Sequence, residues 1–134
     1  MSAPPDTAAE PIRVLVVEDE PLVAENLRAD LVDAGFAVVG VAARLEKALR
    51  LIEEVAFDVA ILDANLAGTS AAPAAAALSA RKLPFVVLSG YAREQLQRQF
   101  SEGVYLQKPY RVAELVDHLR SLLRGRRDQT PAAP

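Results

Sequence analysis

The sequence predicts an α/β domain built on a doubly wound, five-stranded parallel sheet. Five short apolar runs, at 12–17, 36–42, 59–62, 85–88 and 104–107, read as strands, several with the uninterrupted β-branched character of strands buried on both faces. The segments between them carry apolar residues at helical spacing. Strands alternating with helices in this way call for parallel pairing and right-handed crossovers. Four of the runs end in an acid, a hydroxyl or a lysine, and the carboxyl ends of strands are where such sheets open their ligand crevices.

Composition limits what the domain can do. The chain has 134 residues, 51% of them hydrophobic, which suits one domain with one sizeable core. It has no cysteine and a single histidine, His118, so disulfides, thiolate chemistry and His-rich metal sites are excluded. No run approaches the roughly 18 apolar residues of a membrane span, and residues 1–10 lack the pattern of a signal peptide. A cytoplasmic location without membrane attachment is expected. The net charge of −3 and pI near 5.2 offer nucleic acid no basic face. The one basic cluster, Arg120, Arg124, Arg126 and Arg127, includes the last turn of a helix, where cations complement the dipole.

Residues 1–10 have no periodicity and are expected to be a disordered leader, as are 125–134 a disordered tail, leaving a domain at 11–124. The first strand, 12–17, ends in Glu18-Asp19-Glu20. Pro21 then opens a helix, where its missing N–H costs nothing, with Leu22, Val23, Leu27, Leu31 and Val32 recurring and Gly35 as the stop. After the second strand, Leu45, Ala48, Leu49 and Ile52 define a helix whose start at Ala43-Arg44 lacks a good N-cap. The third strand closes on Asp63. Residues 66–70 read as a loop, and an alanine-rich helix capped by Ser70 follows, with Pro73 in its first turn. Pro84 opens the fourth strand, which ends at Ser89-Gly90-Tyr91. Residues 92–100 form the weakest helical segment, anchored by Leu96 and Phe100 alone, and are expected to be mobile. The fifth strand leads to Lys108-Pro109 and a last helix with Val112, Leu115, Val116, Leu119, Leu122 and Leu123 on one face.

This topology brings Glu18, Asp19, Asp63, Ser89 and Lys108 to one rim. Unit charges about 4 Å apart interact by roughly 4 kcal/mol at an effective dielectric of about 20, so three clustered carboxylates call for a cation among them. Oxygen ligands with room for water suit Mg²⁺ shared with a phosphate. Lys108 can pair with Asp63 or a phosphoryl oxygen, and the Ser89 hydroxyl can donate to another.

With these residues in view, the chain resembles the response-regulator receiver domains of bacterial two-component signalling. The resemblance covers about residues 11–124 and rests on Val16-Val17-Glu18-Asp19-Glu20-Pro21, Leu62-Asp63, Leu88-Ser89-Gly90 and Tyr105-Leu106-Gln107-Lys108-Pro109-Tyr110. It implies a flavodoxin-like (βα)5 fold and a phosphoryl group taken by Asp63 from a histidine kinase or phosphotransfer protein. Glu18, Asp19, Asp63 and the Asn65 carbonyl would hold Mg²⁺, Lys108 would contact the phosphate, and Ser89, Tyr105 and Tyr91 would form the switch. The family also implies a cis Lys108-Pro109 bond. Pro84-Phe85 and Ser89-Gly90-Tyr91 are partly similar to the FATGUY-type branch of single-domain receivers, in which the fourth helix is often poorly formed. Two features depart from the pattern: Ser89 stands for the branch's Thr, with Tyr91 one residue early, and Asn65-Leu66-Ala67-Gly68 replaces the family's common Met-Pro.

Three other readings compete. A flavodoxin-like electron carrier needs a hydroxyl- and glycine-rich loop where this chain has Glu18-Asp19-Glu20. A phosphatase with an aspartyl nucleophile needs a second acid beside Asp63 and meets Asn65. A phosphorylation-independent adaptor would have no use for the full set of site residues. The expected role is therefore a signalling phosphoacceptor that catalyses only its own phosphorylation and dephosphorylation. With no effector domain in the sequence, its output is expected to be a contact with a downstream protein, a shuttled phosphoryl group or a phosphate sink.

Overall fold

The structure, a computed structural model, describes residues 10–128. Its central sheet has strands β1 (Arg13–Val17), β2 (Ala37–Ala42), β3 (Val59–Asp63), β4 (Phe85–Ser89) and β5 (Val104–Gln107). All pair in parallel, in the order β2-β1-β3-β4-β5. The described residues form four α-helices, α1 (Pro21–Asp33), α2 (Leu45–Glu54), α3 (Ala72–Ala80) and α4 (Val112–Asp128). Helix α4 thus runs past the expected boundary at 124. The remaining residues of the expected leader and tail, 1–9 and 129–134, lie outside the described residues.

Two cores flank the sheet because successive strand residues face opposite ways. Leu15, Val17, Ala60, Leu62, Phe85 and Val87 pack on α2 and α3. Val14, Val16, Val59, Ile61, Val86 and Leu88 pack with Leu27 and Leu31 of α1 and Leu115, Leu119 and Leu123 of α4. The alanines of α3 let that helix lie close to the sheet: Ala72, Ala74 and Ala75 are all buried. Gly103 is needed for a similar reason, since a Cβ there would overlap the Phe85 ring.

Several helix ends follow the sequence signals. Helix α1 has Pro21 at its start and ends with Gly35 at φ 98°. The Gly35 N–H donates to the Val32 carbonyl (3.0 Å) and the Phe36 N–H to that of Leu31 (2.9 Å), a Schellman closure. Helix α2 starts without a side-chain cap. Ser70 does not take the N-cap position of α3, which Ala71 occupies; one residue upstream, its hydroxyl accepts the Ala72 N–H at 3.0 Å.

Three expectations need correction. In α1 the buried stripe is Ala24, Leu27 and Leu31, whereas Leu22, Val23 and Val32 are exposed, because the helix meets only one sheet face. Residues 66–70 are not a plain loop: Asn65–Leu66 pairs antiparallel with Thr69–Ser70 in a small hairpin. Its two central residues, Ala67 and Gly68, both have positive φ (52° and 90°), as a type I′ turn requires. Residues 92–100 hold no α-helix but two single 3₁₀ turns, Arg93–Gln95 and Arg98–Phe100. Here Phe100 is buried and Leu96 partly so, and the polar residues around them give a longer helix nothing to pack on. No helix among the described residues is long and apolar enough to cross a membrane.

Candidate functional site

The three inner strands β1, β3 and β4 end at one level, so their following residues meet at the carboxyl edge. The register aligns Val17 with Leu62 and Asp63 with Leu88. Glu18 follows β1 directly and its N–H donates to the Ala42 carbonyl (2.9 Å), which turns the chain over the sheet edge. Lys108 is brought in by its N–H, which donates to the Ser89 carbonyl at 2.8 Å, and the next peptide, Lys108-Pro109, is cis as the resemblance implied.

Asp63 has both carboxylate oxygens engaged. Oδ1 accepts the Asn65 N–H at 3.0 Å and Oδ2 accepts the Lys108 ammonium at 2.7 Å. The Asp63 side chain is 11% exposed, at the lip of the crevice. The Lys108 ammonium is held above its ordinary pKa: partial burial works against its charge, but the Asp63 hydrogen bond and the nearby carboxylates outweigh that.

Glu18 is buried to 3% exposure. Its Oε2 accepts the Glu20 N–H at 3.1 Å, and its Oε1 is buried with no hydrogen-bond partner among the described residues. Burial pushes the Glu18 carboxyl above its usual range; the Glu20 N–H opposes this and the Asp63 charge adds to it. Glu18, Asp19 and Asp63 each offer a carboxylate oxygen, all within 4.8 Å of one another. A buried acceptor left unpaired beside two more carboxylates is a donor set short of a cation, so this acidic pocket could bind a metal. Sequence reasoning placed these three acids together correctly, but it carried no sign of the orphaned Oε1.

The remaining predicted residues lie around this pocket. Ser89 is buried and its hydroxyl accepts the Tyr91 N–H at 2.9 Å. Tyr91 is itself exposed. The half-buried Tyr105 donates its hydroxyl to the Tyr91 carbonyl, and the Arg93 guanidinium sits 5.9 Å from its ring centroid. Asn65 contributes its N–H to Asp63, while its side-chain oxygen accepts the Gly68 N–H at 2.7 Å and sets the hairpin. A link that sequence reasoning missed joins this hairpin to the segment after β4: the Ser70 hydroxyl donates to the Gln97 side-chain carbonyl. Two polar residues 27 apart carry no periodic signal that could have revealed it. Of the basic cluster, Arg120 is structural, donating to the Ala34 carbonyl (2.8 Å) and lying over Phe36.

With its five-stranded sheet in this order and an acidic crevice at the strand ends, the chain belongs to the response regulator receiver domain family, whose model matches residues 14–120. It is 32% identical over 113 residues to the transcriptional regulatory protein PdtaR of Mycobacterium tuberculosis, covering 81% of this chain and 55% of that protein. The positive alginate biosynthesis regulatory protein of Pseudomonas aeruginosa is 35% identical over 127 residues, 90% of this chain and 51% of that protein. Among solved structures, SdrG from Sphingomonas melonis Fr1 aligns with a TM-score of 0.71 at 36% identity, covering 84% of this chain and 97% of that one. The chain spans about half the length of the curated relatives it matches.

Proposed function

We propose that this receiver domain accepts a phosphoryl group on Asp63 from a histidine kinase or phosphotransfer protein and passes the change to the segment after β4. The observation that carries the reading is the Asp63 carboxylate, held between the Lys108 ammonium (2.7 Å) and the Asn65 N–H (3.0 Å) beside two further acids. Glu18, Asp19, Asp63 and the Asn65 carbonyl would hold Mg²⁺; when bound, the ion neutralises the carboxylates and allows a phosphate dianion to approach them. The orphaned Glu18 Oε1 supports this assignment.

In the transfer, an Asp63 oxygen attacks phosphorus, a P–O bond forms, and the bond to the donor's nitrogen or oxygen breaks with the electron pair leaving on the donor. Lys108 orients Asp63 beforehand and then offers its ammonium to the phosphoryl oxygens. The new group brings a charge of roughly −1.5 to −2 to the rim. The Ser89 hydroxyl is free to donate its proton to that group, because in its present contact with Tyr91 it acts as acceptor only. A shift of Ser89 moves Gly90 and Tyr91, and with them the Tyr105 contact and the two 3₁₀ turns. The surface of 90–100 and β5 is thereby the face that a downstream partner reads.

A small phosphodonor such as acetyl phosphate tests the assignment. Label should appear only with Mg²⁺, resist acid, be lost in alkali and be absent from Asp63→Asn. Equal labelling of Asp63→Asn would overturn it.

A further inference from the structure

We propose that the cleft between α1 and α2 binds a small phosphorylated molecule of nucleotide size, its phosphates on the α2 cations and its ring on an apolar floor. This goes beyond phosphotransfer to Asp63 and does not depend on it. The cleft has a volume of about 740 Å³, within the usual range of small-molecule sites, and lies beyond the carboxyl end of the edge strand β2. Its apolar lining, Pro21, Ala24, Val41 and Ala43, is the floor on which the ring would rest. One wall carries Lys47 and Arg50, three residues apart on one side of α2, with Arg44 at the N-cap of the same helix also lining the cleft. None of these three cations forms a salt bridge among the described residues.

Charge placement gives the ligand a direction. On the opposite wall Arg28 is already paired with Glu25, through Nε–Oε1 at 3.1 Å and Nη2–Oε2 at 2.5 Å, so its charge is offset by a carboxylate before any anion arrives. Glu46 is the one carboxylate on the α2 wall, which leaves that wall a net charge of about +2. Glu18 and Asp19 close one end of the cleft and repel an anion there. A phosphate therefore lies toward Arg44, Lys47 and Arg50, where guanidinium forks match its oxygens and the α2 ammonium adds charge. The apolar floor is left for a base or another carbon framework, which separates this cleft from a plain basic patch.

The test is titration of the ¹⁵N-labelled full chain with ADP and, separately, with pyrophosphate, at near-physiological salt and with EDTA so that no metal bridges the ligand to Asp63. The proposal predicts saturable ADP shifts at the amides of Ala24, Ala43, Arg44 and Lys47 with a dissociation constant below about 1 mM. Pyrophosphate, lacking the ring, should bind about tenfold more weakly and leave Ala24 unmoved. Lys47→Gln with Arg50→Gln should weaken ADP by about tenfold or more, with unchanged spectral dispersion away from α2 because both side chains are exposed. Absence of saturable shifts up to about 5 mM ADP, equal affinity for pyrophosphate, or equal affinity in the double variant would each overturn the proposal.

Discussion

Replacing Glu18 by glutamine should stabilise the metal-free protein and abolish most of its response to Mg²⁺. Three carboxylate oxygens lie within 4.8 Å of one another. At that separation each charged pair repels by about 3.5 kcal/mol at an effective dielectric near 20. The Lys108 ammonium on Asp63 and the solvent at the lip offset part of this, so a net gain of about 1–2 kcal/mol is expected for Glu18→Gln, or roughly 3–6 °C in Tm. The glutamine oxygen can still accept the Glu20 N–H, and its NH₂ puts a donor where the unpartnered Oε1 stood. The sign of the pH dependence follows from the raised Glu18 pKa. A carboxyl whose folded pKa exceeds its unfolded value favours folding below the ordinary glutamate range and loses that contribution as pH rises through the folded value. The Tm advantage of Glu18→Gln in EDTA should therefore grow from about pH 4 to pH 7. With Mg²⁺ the gap should narrow or reverse, since the wild type gains more; tenfold excess over the dissociation constant is worth about 1.4 kcal/mol. Thermal melts in EDTA and in Mg²⁺ at several pH values provide the readout. A lower Tm for Glu18→Gln in EDTA at pH 7, or an equal Mg²⁺ response in both proteins, would refute the reasoning.

Ser89→Ala should leave Asp63 labelling largely intact but blunt the change in hydrogen exchange over residues 89–104 on phosphorylation, because the hydroxyl that can reach the new group is gone; a largest change on α1 or α4 instead would place the output face elsewhere. In the unmodified protein the same variant should lose about 1 kcal/mol or less, through the unpaired Tyr91 N–H. Gly103→Ala should destabilise by about 1–3 kcal/mol in a denaturant melt, since the added methyl meets the Phe85 ring in a filled core. A neutral effect there would mean that β5 and Phe85 move apart more easily than their packing indicates.

The strands and the site acids were legible for one reason: a strand buried on both faces is a continuous apolar run, and the polar residue that ends it must emerge at the sheet edge. Glu18, Asp63, Ser89 and Lys108 were all placed by that rule, and the cis bond before Pro109 by the resemblance. Helical segments were less legible where amphipathic spacing is ambiguous. Leu22, Val23 and Val32 fit a helical stripe as well as Ala24 does, yet Ala24 is buried and they are exposed. The hairpin at 65–70 was hidden because Ala67 takes a positive φ that an alanine rarely adopts, so the sequence lacked the usual Asn-Gly or Asp-Gly signal. Residues 92–100 carried few apolar residues, which marked the segment as weak but still left a poorly anchored helix as the expectation; the two 3₁₀ turns found there, linked to Ser70 and Tyr105, depend on tertiary hydrogen bonds that no local pattern encodes.

The central claim is that Asp63, and not a neighbouring acid, carries the phosphoryl group. After incubation with Mg²⁺ and acetyl phosphate, borohydride reduction converts an aspartyl phosphate to homoserine, and peptide mass spectrometry reads its position. The account predicts homoserine at position 63 alone, within the peptide that contains Val59–Asp63. Reduction at Asp19 or Glu18, or none at any acid of the pocket, would contradict it.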